Sequence, residues 1–538
     1  MNWWRIDNHS YNCLILRLRL TPILLSLILA LPILGIFAAL LNPQATSGDV
    51  LTHLITTVLP GYAWTTLLMA IGVAWGVASM GIITAWLVAT CDFPGKRIYE
   101  WALILPLAMP TYVMAYAYTD FFQFSGPIQS FLRDLLGVSK LEWFPEPRSV
   151  WGAVCVLSLA LYPYVYLLCR TAFLERSPRL IDAARTLGAS PWSAFWQVAL
   201  PMARPATMAG VALALMEAVA DYGAMSYFGV QTMTTGIYRA WLGMGDRIAA
   251  VQLSAALLGV IFLLLMLEHA SRRQMRFAAN GQRFRQIKPW RLQGKKAFWA
   301  SLSCALPMIF GFILPIIIMA YLALTSGEAL NDRYWTWLTN TLTLSTVTAI
   351  CAVIIAVWLA YSARMAKGGL QLLANRMVSL GYAVPGAVLA VGVLILLAQL
   401  DLAWLLSGSV FILVYAYLTR FLSSGLQTVE AGLSKITPSM DSSAMSLGSG
   451  KWELLTKIHL PLLRRSLLTA GLLVFVDVMK ELPATLVLRP FNFDTLAVIT
   501  YQLAADERLA EAAWPALTIV LAGLLPVIIL SRAMSRDS

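Results

Sequence analysis

Long apolar runs recur along the chain at a length that few folds can accommodate. They fall near 20–41, 61–90, 99–122, 150–173, 203–230, 250–270, 298–324, 338–363, 377–400, 403–426, 463–488 and 512–533. A helix needs about 20 such residues to cross the hydrocarbon layer of a bilayer. No water is present there to satisfy backbone groups, so a run of this kind satisfies them internally as a helix. The twelve runs therefore predict an all-α polytopic membrane protein with about 12 transmembrane helices. Composition agrees: 59% of the 538 residues are hydrophobic and 12% charged, against about half and a quarter in soluble domains. A soluble fold of this size would expose more surface than so few charges can cover.

Charge orients the runs. Connections 91–98, 174–204, 271–296, 364–376 and 427–465 hold 23 Lys/Arg against 6 Asp/Glu, whereas 42–60, 120–149 and 325–337 hold 4 against 7. Basic residues collect on the cytoplasmic side of a bilayer, so the alternation predicts a multi-pass chain with both termini in the cytoplasm. The net charge of +12 is then a topology signal and not a sign of nucleic-acid binding. Its densest stretch, Arg272 to Lys296, has nine basic residues and no acidic one, as expected of a cytoplasmic linker beside anionic headgroups. Arg17 and Arg19 precede a first run too long for a signal peptide, which predicts a retained span. Six scattered cysteines with no C-x-x-C spacing imply neither a disulfide framework nor a zinc site.

An internal repeat organises the whole. Asp182-Ala-Ala-Arg-Thr-Leu-Gly188, continuing through Pro191-Trp192 to Pro201, recurs 260 residues later as Ser442-Ser-Ala-Met-Ser-Leu-Gly448, Lys451-Trp452 and Pro461. The same offset pairs Pro178 with Pro438, Arg204 with Arg464, Glu217 with Asp477 and Asp221 with Glu481. Each copy falls between the fourth and fifth run of its half, which predicts two homologous six-helix halves in parallel. The halves are 1–270 and 298–538, joined by a basic cytoplasmic linker, 271–297. Within each copy, small side chains form a first short helix that Gly188 or Gly448 ends in the left-handed conformation. Trp192 or Trp452 opens a second amphipathic stretch, and Pro201 or Pro461 marks entry to the next span.

Both loops resemble the EAA loop of type I ABC importer permeases, E-A-A-x(3)-G-x(9)-I-x-L-P. The first copy fits at Asp182, Ala183, Ala184, Gly188, Val198, Leu200 and Pro201; the second at Ser442, Ser443, Ala444, Gly448, Ile458, Leu460 and Pro461, with Asp441 beside the acidic position. The resemblance implies that these residues dock with a cytoplasmic ATPase and pass its closure to the spans. It also implies two copies of that ATPase, a periplasmic substrate-binding protein and residence in a bacterial inner membrane. Lys480-Glu-Leu-Pro-Ala-Thr-Leu-Val-Leu-Arg-Pro490, Phe493-Asp-Thr-Leu-Ala497 and Met216-Glu-Ala-Val-Ala-Asp-Tyr-Gly223 are similar to the fused ferric-iron permeases. Thiamine, polyamine and phosphonate permeases share that architecture. An ion-coupled secondary transporter also has twelve spans, but it needs no matched pair of glycine-containing cytoplasmic loops.

The chain contains no G-x-x-x-x-G-K-[ST] phosphate loop, so ATP is expected to be used by a partner and no cofactor to be held here. His9, His53, His269 and His459 are isolated in sequence, and no catalytic grouping or metal site is expected. Glu217 and Asp221 lie one helical turn apart, as do Asp477 and Glu481, so each pair shares a helix face. Charges at membrane depth usually face a bundle interior or an aqueous path, and ferric iron is a hard cation that prefers oxygen ligands. The four carboxylates either line a translocation pathway or sit near helix ends, paired with Lys480 or Arg489 or bonded to loop backbone. Tyr112, Tyr116 and Tyr118 offer further oxygens, or simply pack as aromatics.

Overall fold

The computed structural model of the chain describes residues 8–40, 54–176, 184, 186–277, 289–325, 331–366, 369–401 and 408–536. Helices dominate it. They are α1 Asn8–Leu40, α2 Leu59–Thr90, α3 Lys96–Ala102, α4 Thr111–Phe122, α5 Pro127–Leu136, α6 Val150–Arg176, α7 Leu200–Ala220, α8 Gly223–Tyr227, α9 Met233–Tyr238 and α10 Arg247–Phe277. They continue as α11 Lys295–Met308, α12 Leu314–Thr325, α13 Asp332–Ala366, α14 Gly369–Ser379, α15 Gly386–Gln399, α16 Val410–Ser434, α17 Pro438–Ser446, α18 Leu460–Met479, α19 Pro483–Leu488, α20 Leu496–Ala505 and α21 Leu509–Arg536. Two-residue strands β1 (Cys91–Asp92) and β2 (Trp290–Arg291) pair in parallel.

Among the described residues nine helices are long and apolar enough to cross a membrane, or eleven if each of two bent pairs is one span. The protein is thus a polytopic all-α membrane protein. The runs at 99–122 and 377–400 are not straight rods. Lys96–Ala108 meets Thr111–Leu136 at 93°, and Gly369–Ala383 meets Gly386–Gln399 at 116°. Proline makes both breaks, because its ring clashes with a helical residue before it. Met109 accordingly takes ψ 117° ahead of Pro110, and Val384 takes ψ 122° ahead of Pro385. The run at 463–488 also divides: α18 stops at Met479 and the chain turns before α19. With Arg464, Arg465 and Asp477 on α18, this helix is not among the nine.

Two compact units emerge, Met1–Ala45 with Asp332–Val498, and Thr46–Asn331 with Ile499–Ser538. Packing takes α1 with α13–α16 and α21 with α12. In the second unit α6 lies between glycine seams. A Cβ on Gly72 would stand 2.9 Å from Val154, one on Gly76 2.2 Å from Ser158 Oγ, and one on Gly81 2.6 Å from Val165. On the other side a Cβ on Gly210 of α7 would come within 2.8 Å of Val165 Cα. Lipid tails are as apolar as leucine, so close backbone approach through small residues is what joins helices in a bilayer. The first unit repeats the device: a Cβ on Gly392 of α15 would meet the Pro32 carbonyl of α1 at 2.4 Å. Trp358 Nε1 donates to Thr21 Oγ1 at 3.0 Å and Tyr415 Oη to the Ile28 carbonyl at 2.5 Å, fixing α1 further.

Candidate functional site

The two loops of the repeat are built alike, bond by bond. Gly188 has φ +83° and Gly448 φ +90°, the left-handed turn expected of a glycine that ends a helix. Ala189 N donates to the Ala184 carbonyl at 2.9 Å, and Ser449 N to the Ala444 carbonyl at 3.1 Å. Each is the six-residue closing bond of a Schellman cap. Beyond the turn, one-turn helices Pro191–Ala194 and Lys451–Glu453 run into π turns Phe195–Ala199 and Leu454–His459, and these into α7 and α18. Pro201 and Pro461 sit in the first turns of those helices, where a missing N–H costs nothing.

What the loops present is also paired. Leu187 is 87% exposed and Leu447 88%, and Trp192 62% and Trp452 61%. Four large apolar side chains are thus exposed at matched positions, as on a surface awaiting a partner. Ser442 and Ser443 are exposed on the same helix, α17, while Ala444 is buried against the body. Asp182 and Ala183 lie outside the described residues.

Below the loops the halves differ. Asp441, which sequence set beside the acidic EAA position, is 6% exposed and turned inward. Arg364 Nε donates to its Oδ2 at 2.7 Å, and the same guanidinium reaches the Leu433 carbonyl at 2.7 Å and the Ile436 carbonyl at 2.8 Å. His459 Nε2 lies 2.9 Å from Asp441 Oδ1. The expectation of an isolated His459 is therefore corrected: it is fully buried and ties α18 to α17. Burial pushes the Asp441 carboxyl up, but the bonds from Arg364 and His459 outweigh it and hold the group below the usual carboxylate range. At the 260-residue offset the first half has Ile181 and Ala199 for Asp441 and His459, and its loop rests on aromatic rings instead. Trp86 packs against Phe195 at 5.3 Å and Phe173 at 5.5 Å between centroids.

The four carboxylates fall at the ends of α7 and α18. Glu481 is 4% exposed and receives Arg420 at 2.7 Å. It also accepts Ala484 N at 3.1 Å and Thr485 N at 3.3 Å, capping α19. A Cβ on Gly386 would stand 2.5 Å from Glu481 Oε1 and 2.7 Å from Arg420 Nη1, so that glycine makes room for the pair. Asp477 bonds Lys480 at 2.9 Å. Arg489, the other cation expected nearby, pairs with Asp494 instead. In the first half Asp221 accepts Ala224 N at 2.9 Å, and Thr111 donates to its other oxygen. Glu217, one turn earlier, is half-buried. Sequence located these groups but not Arg420 or Arg364, whose partners lie 61 and 77 residues away.

Comparison with known proteins agrees with the geometry. Residues 78–277 match the family described as binding-protein-dependent transport system inner membrane component. The Fe(3+)-transport system permease protein FbpB 2 of Haemophilus influenzae is 26% identical over 82% of this chain and 83% of its own length. The ferric transport system permease protein FbpB of Actinobacillus pleuropneumoniae is 24% identical over 76% of this chain and 60% of its own. A putative 2-aminoethylphosphonate transport system permease protein, PhnV of Salmonella typhimurium, is 27% identical over 44% of this chain and 92% of its own. Residues 78–277 are thus similar to the inner membrane component of binding-protein-dependent transport systems, and the apolar helices make the chain a polytopic membrane protein.

Proposed function

We propose that the chain is the permease subunit of an ATP-driven, binding-protein-dependent importer of ferric iron. The observation that carries the coupling half of this reading is the matched exposure of Leu187 with Leu447 and of Trp192 with Trp452 on loops of one geometry. Two copies of a cytoplasmic ATPase grip one loop each through Asp182, Ala183, Ala184, Gly188 and Pro201, and through Asp441, Ser442, Ser443, Ala444, Gly448 and Pro461. In the second loop Asp441 serves from inside, as the anchor of α17. The ATP is bound and spent by the partners, and the chain itself holds no cofactor. A periplasmic binding protein delivers the cargo.

In this reading twelve spans form two six-span halves, 1–270 and 298–538, with 271–297 and both termini in the cytoplasm. The bent pairs and α18 supply the spans beyond the nine straight ones. ATP-driven closure at the loops rocks the spans between inward- and outward-open states. Glu217, Asp221, Asp477 and Glu481 belong to the pathway region as the groups that set the ends of α7 and α18. Among them Glu217 and Asp221 are half-buried and unpaired by a cation among the described residues, so they are the carboxylates through which a cation passes most readily.

The iron assignment is supported by the names of the two ferric relatives, each matching three quarters of the chain or more. The test is ATP-dependent uptake in proteoliposomes holding the chain, its ATPase and its binding protein, with labelled ferric iron against labelled 2-aminoethylphosphonate. Uptake of iron alone is expected. Phosphonate uptake would move the chain to the other substrate class, and uptake without any ATPase would refute an ATP-driven importer. Leu187→Asp with Leu447→Asp should abolish co-purification of the ATPase while leaving the chain in the membrane.

A further inference from the structure

Phenol rings gather in the unit Thr46–Asn331 with Ile499–Ser538. Tyr112 and Tyr116 of α4 lie 5.8 Å apart between centroids, and Tyr116 lies 4.5 Å from Tyr227 of α8. Tyr222 packs 5.8 Å from Tyr501. The oxygens of these groups converge as well. Tyr501 Oη sits 2.8 Å from Ser226 Oγ and 3.3 Å from Tyr222 Oη; Ser226 precedes Tyr227 on α8, and Asp221 accepts the backbone N–H of Ala224 on the same helix at 2.9 Å.

Aromatic packing alone does not account for this. Tyr116 is fully buried, and among the described residues its hydroxyl has no hydrogen-bond partner. Leaving such a group unsatisfied costs about 1–3 kcal/mol, a cost that phenylalanine in the same space would avoid. On the far side of the cluster Asp221, Tyr222, Ser226, Tyr227 and Tyr501 are all half-buried. Arg148 stands at its rim, 5.1 Å over the Tyr227 ring, in the connection 120–149 that the charge pattern puts outside. Polar oxygens opening between apolar helices mark a route for polar cargo.

We infer that this tyrosine–aspartate cluster is a transit site for ferric ion, held by phenol oxygens and the Asp221 carboxylate. The inference rests on the ferric reading above. A hard cation seeks oxygen donors, and anionic ones most strongly. Among the described residues no three His, Cys, Asp or Glu side chains gather into a metal site, so the oxygens come from tyrosine. Each phenol that coordinates releases its proton to water, and iron stays ferric throughout. With only one carboxylate in the set, the ion is held less firmly than in a storage site, as passage requires.

The test uses the chain with its ATPase in lipid nanodiscs, titrated with ferric nitrilotriacetate and read by the visible phenolate-to-iron charge-transfer band. Wild type should develop the band. Tyr116→Phe and Tyr501→Phe should each weaken iron binding about tenfold and lower iron uptake, whereas Tyr321→Phe, at a position exposed elsewhere, should do neither. Thermal unfolding should match wild type in Tyr501→Phe and Tyr321→Phe and be no lower in Tyr116→Phe, which loses only an unsatisfied buried hydroxyl; that separates lost ligation from lost folding. No band in wild type, or a band and uptake unchanged in both cluster variants, overturns the site. If the complex moves another cargo and no iron, the ferric reading itself fails; iron uptake without the band removes the transit site alone.

Discussion

Replacing Arg364 by methionine keeps the apolar stem and removes three bonds at once, to Asp441 and to the Leu433 and Ile436 carbonyls at 2.7–2.8 Å. Asp441, 6% exposed, is left with His459 as its remaining partner among the bonds described. Breaking a buried ion pair from one side costs about 3–5 kcal/mol, where an exposed pair returns at most about 1. The loss should fall on the segment the guanidinium ties together, 433–459, and not on the whole chain. Local opening is read by amide hydrogen exchange, and about 3–5 kcal/mol corresponds to exchange in α17 faster by roughly 10²-fold or more. Acid supplies a second check. The Asp441 carboxyl titrates below its ordinary range in the native state, so its contribution is complete above about pH 4, the unfolded value. It disappears as pH falls through the lowered native value. The gap between wild type and Arg364→Met should be constant near neutrality and close in acid. Exchange within about fivefold of wild type at neutral pH would show that the anchor carries no more than a surface pair, and the reasoning would fall.

Further outcomes follow from other contacts. Gly448→Val, at φ +90°, should cost about 1–2 kcal/mol of backbone strain and yield ATP hydrolysis poorly coupled to uptake in the proteoliposome assay; Gly188→Val, at φ +83°, should do the same. Gly76→Ala drives a Cβ to 2.2 Å from Ser158 Oγ and should destabilise the chain by about 1–3 kcal/mol in thermal unfolding, with Ser158→Gly restoring it. Glu481→Ala breaks the buried pair with Arg420 from one side and should cost about 3–5 kcal/mol, while Glu481→Leu with Arg420→Met should cost far less. Iron uptake retained in that double variant would remove Glu481 from the pathway.

Much of the geometry of the two repeated loops was legible because its signals are local. The Leu-Gly turn, the tryptophan after it and the proline at the next helix each act within a few residues, and the 260-residue offset doubled every one of them. Helix breaks were written in the sequence too: Pro110 and Pro385 stand in the middle of apolar runs, yet membrane helices tolerate proline, so hydropathy alone read straight spans through both. The ion pairs were not legible. Arg364 and Arg420 read as one basic residue near a helix end and another inside an apolar helix, and only folding brings them to Asp441 and Glu481. Histidine 459 misled for the same reason. The tyrosine cluster needed Tyr501 to come back beside Ser226 across 275 residues, a closure that no spacing rule anticipates.

The grouping of α1 with residues 332–498 has a consequence for biosynthesis. A ribosome adds about 5–20 residues per second, so the roughly 290 residues between Ala45 and Asp332 separate α1 from its partner by about 15–60 s. During that interval the seam of α1 around Pro32 and Gly35 has no Gly392 to close upon. The nascent chain must keep its first helix parked in lipid, or with an insertion factor, until the second half arrives. Docking of α1 therefore waits for helices translated roughly 290 residues after it, and a message cut before Asp332 would leave α1 without its mate.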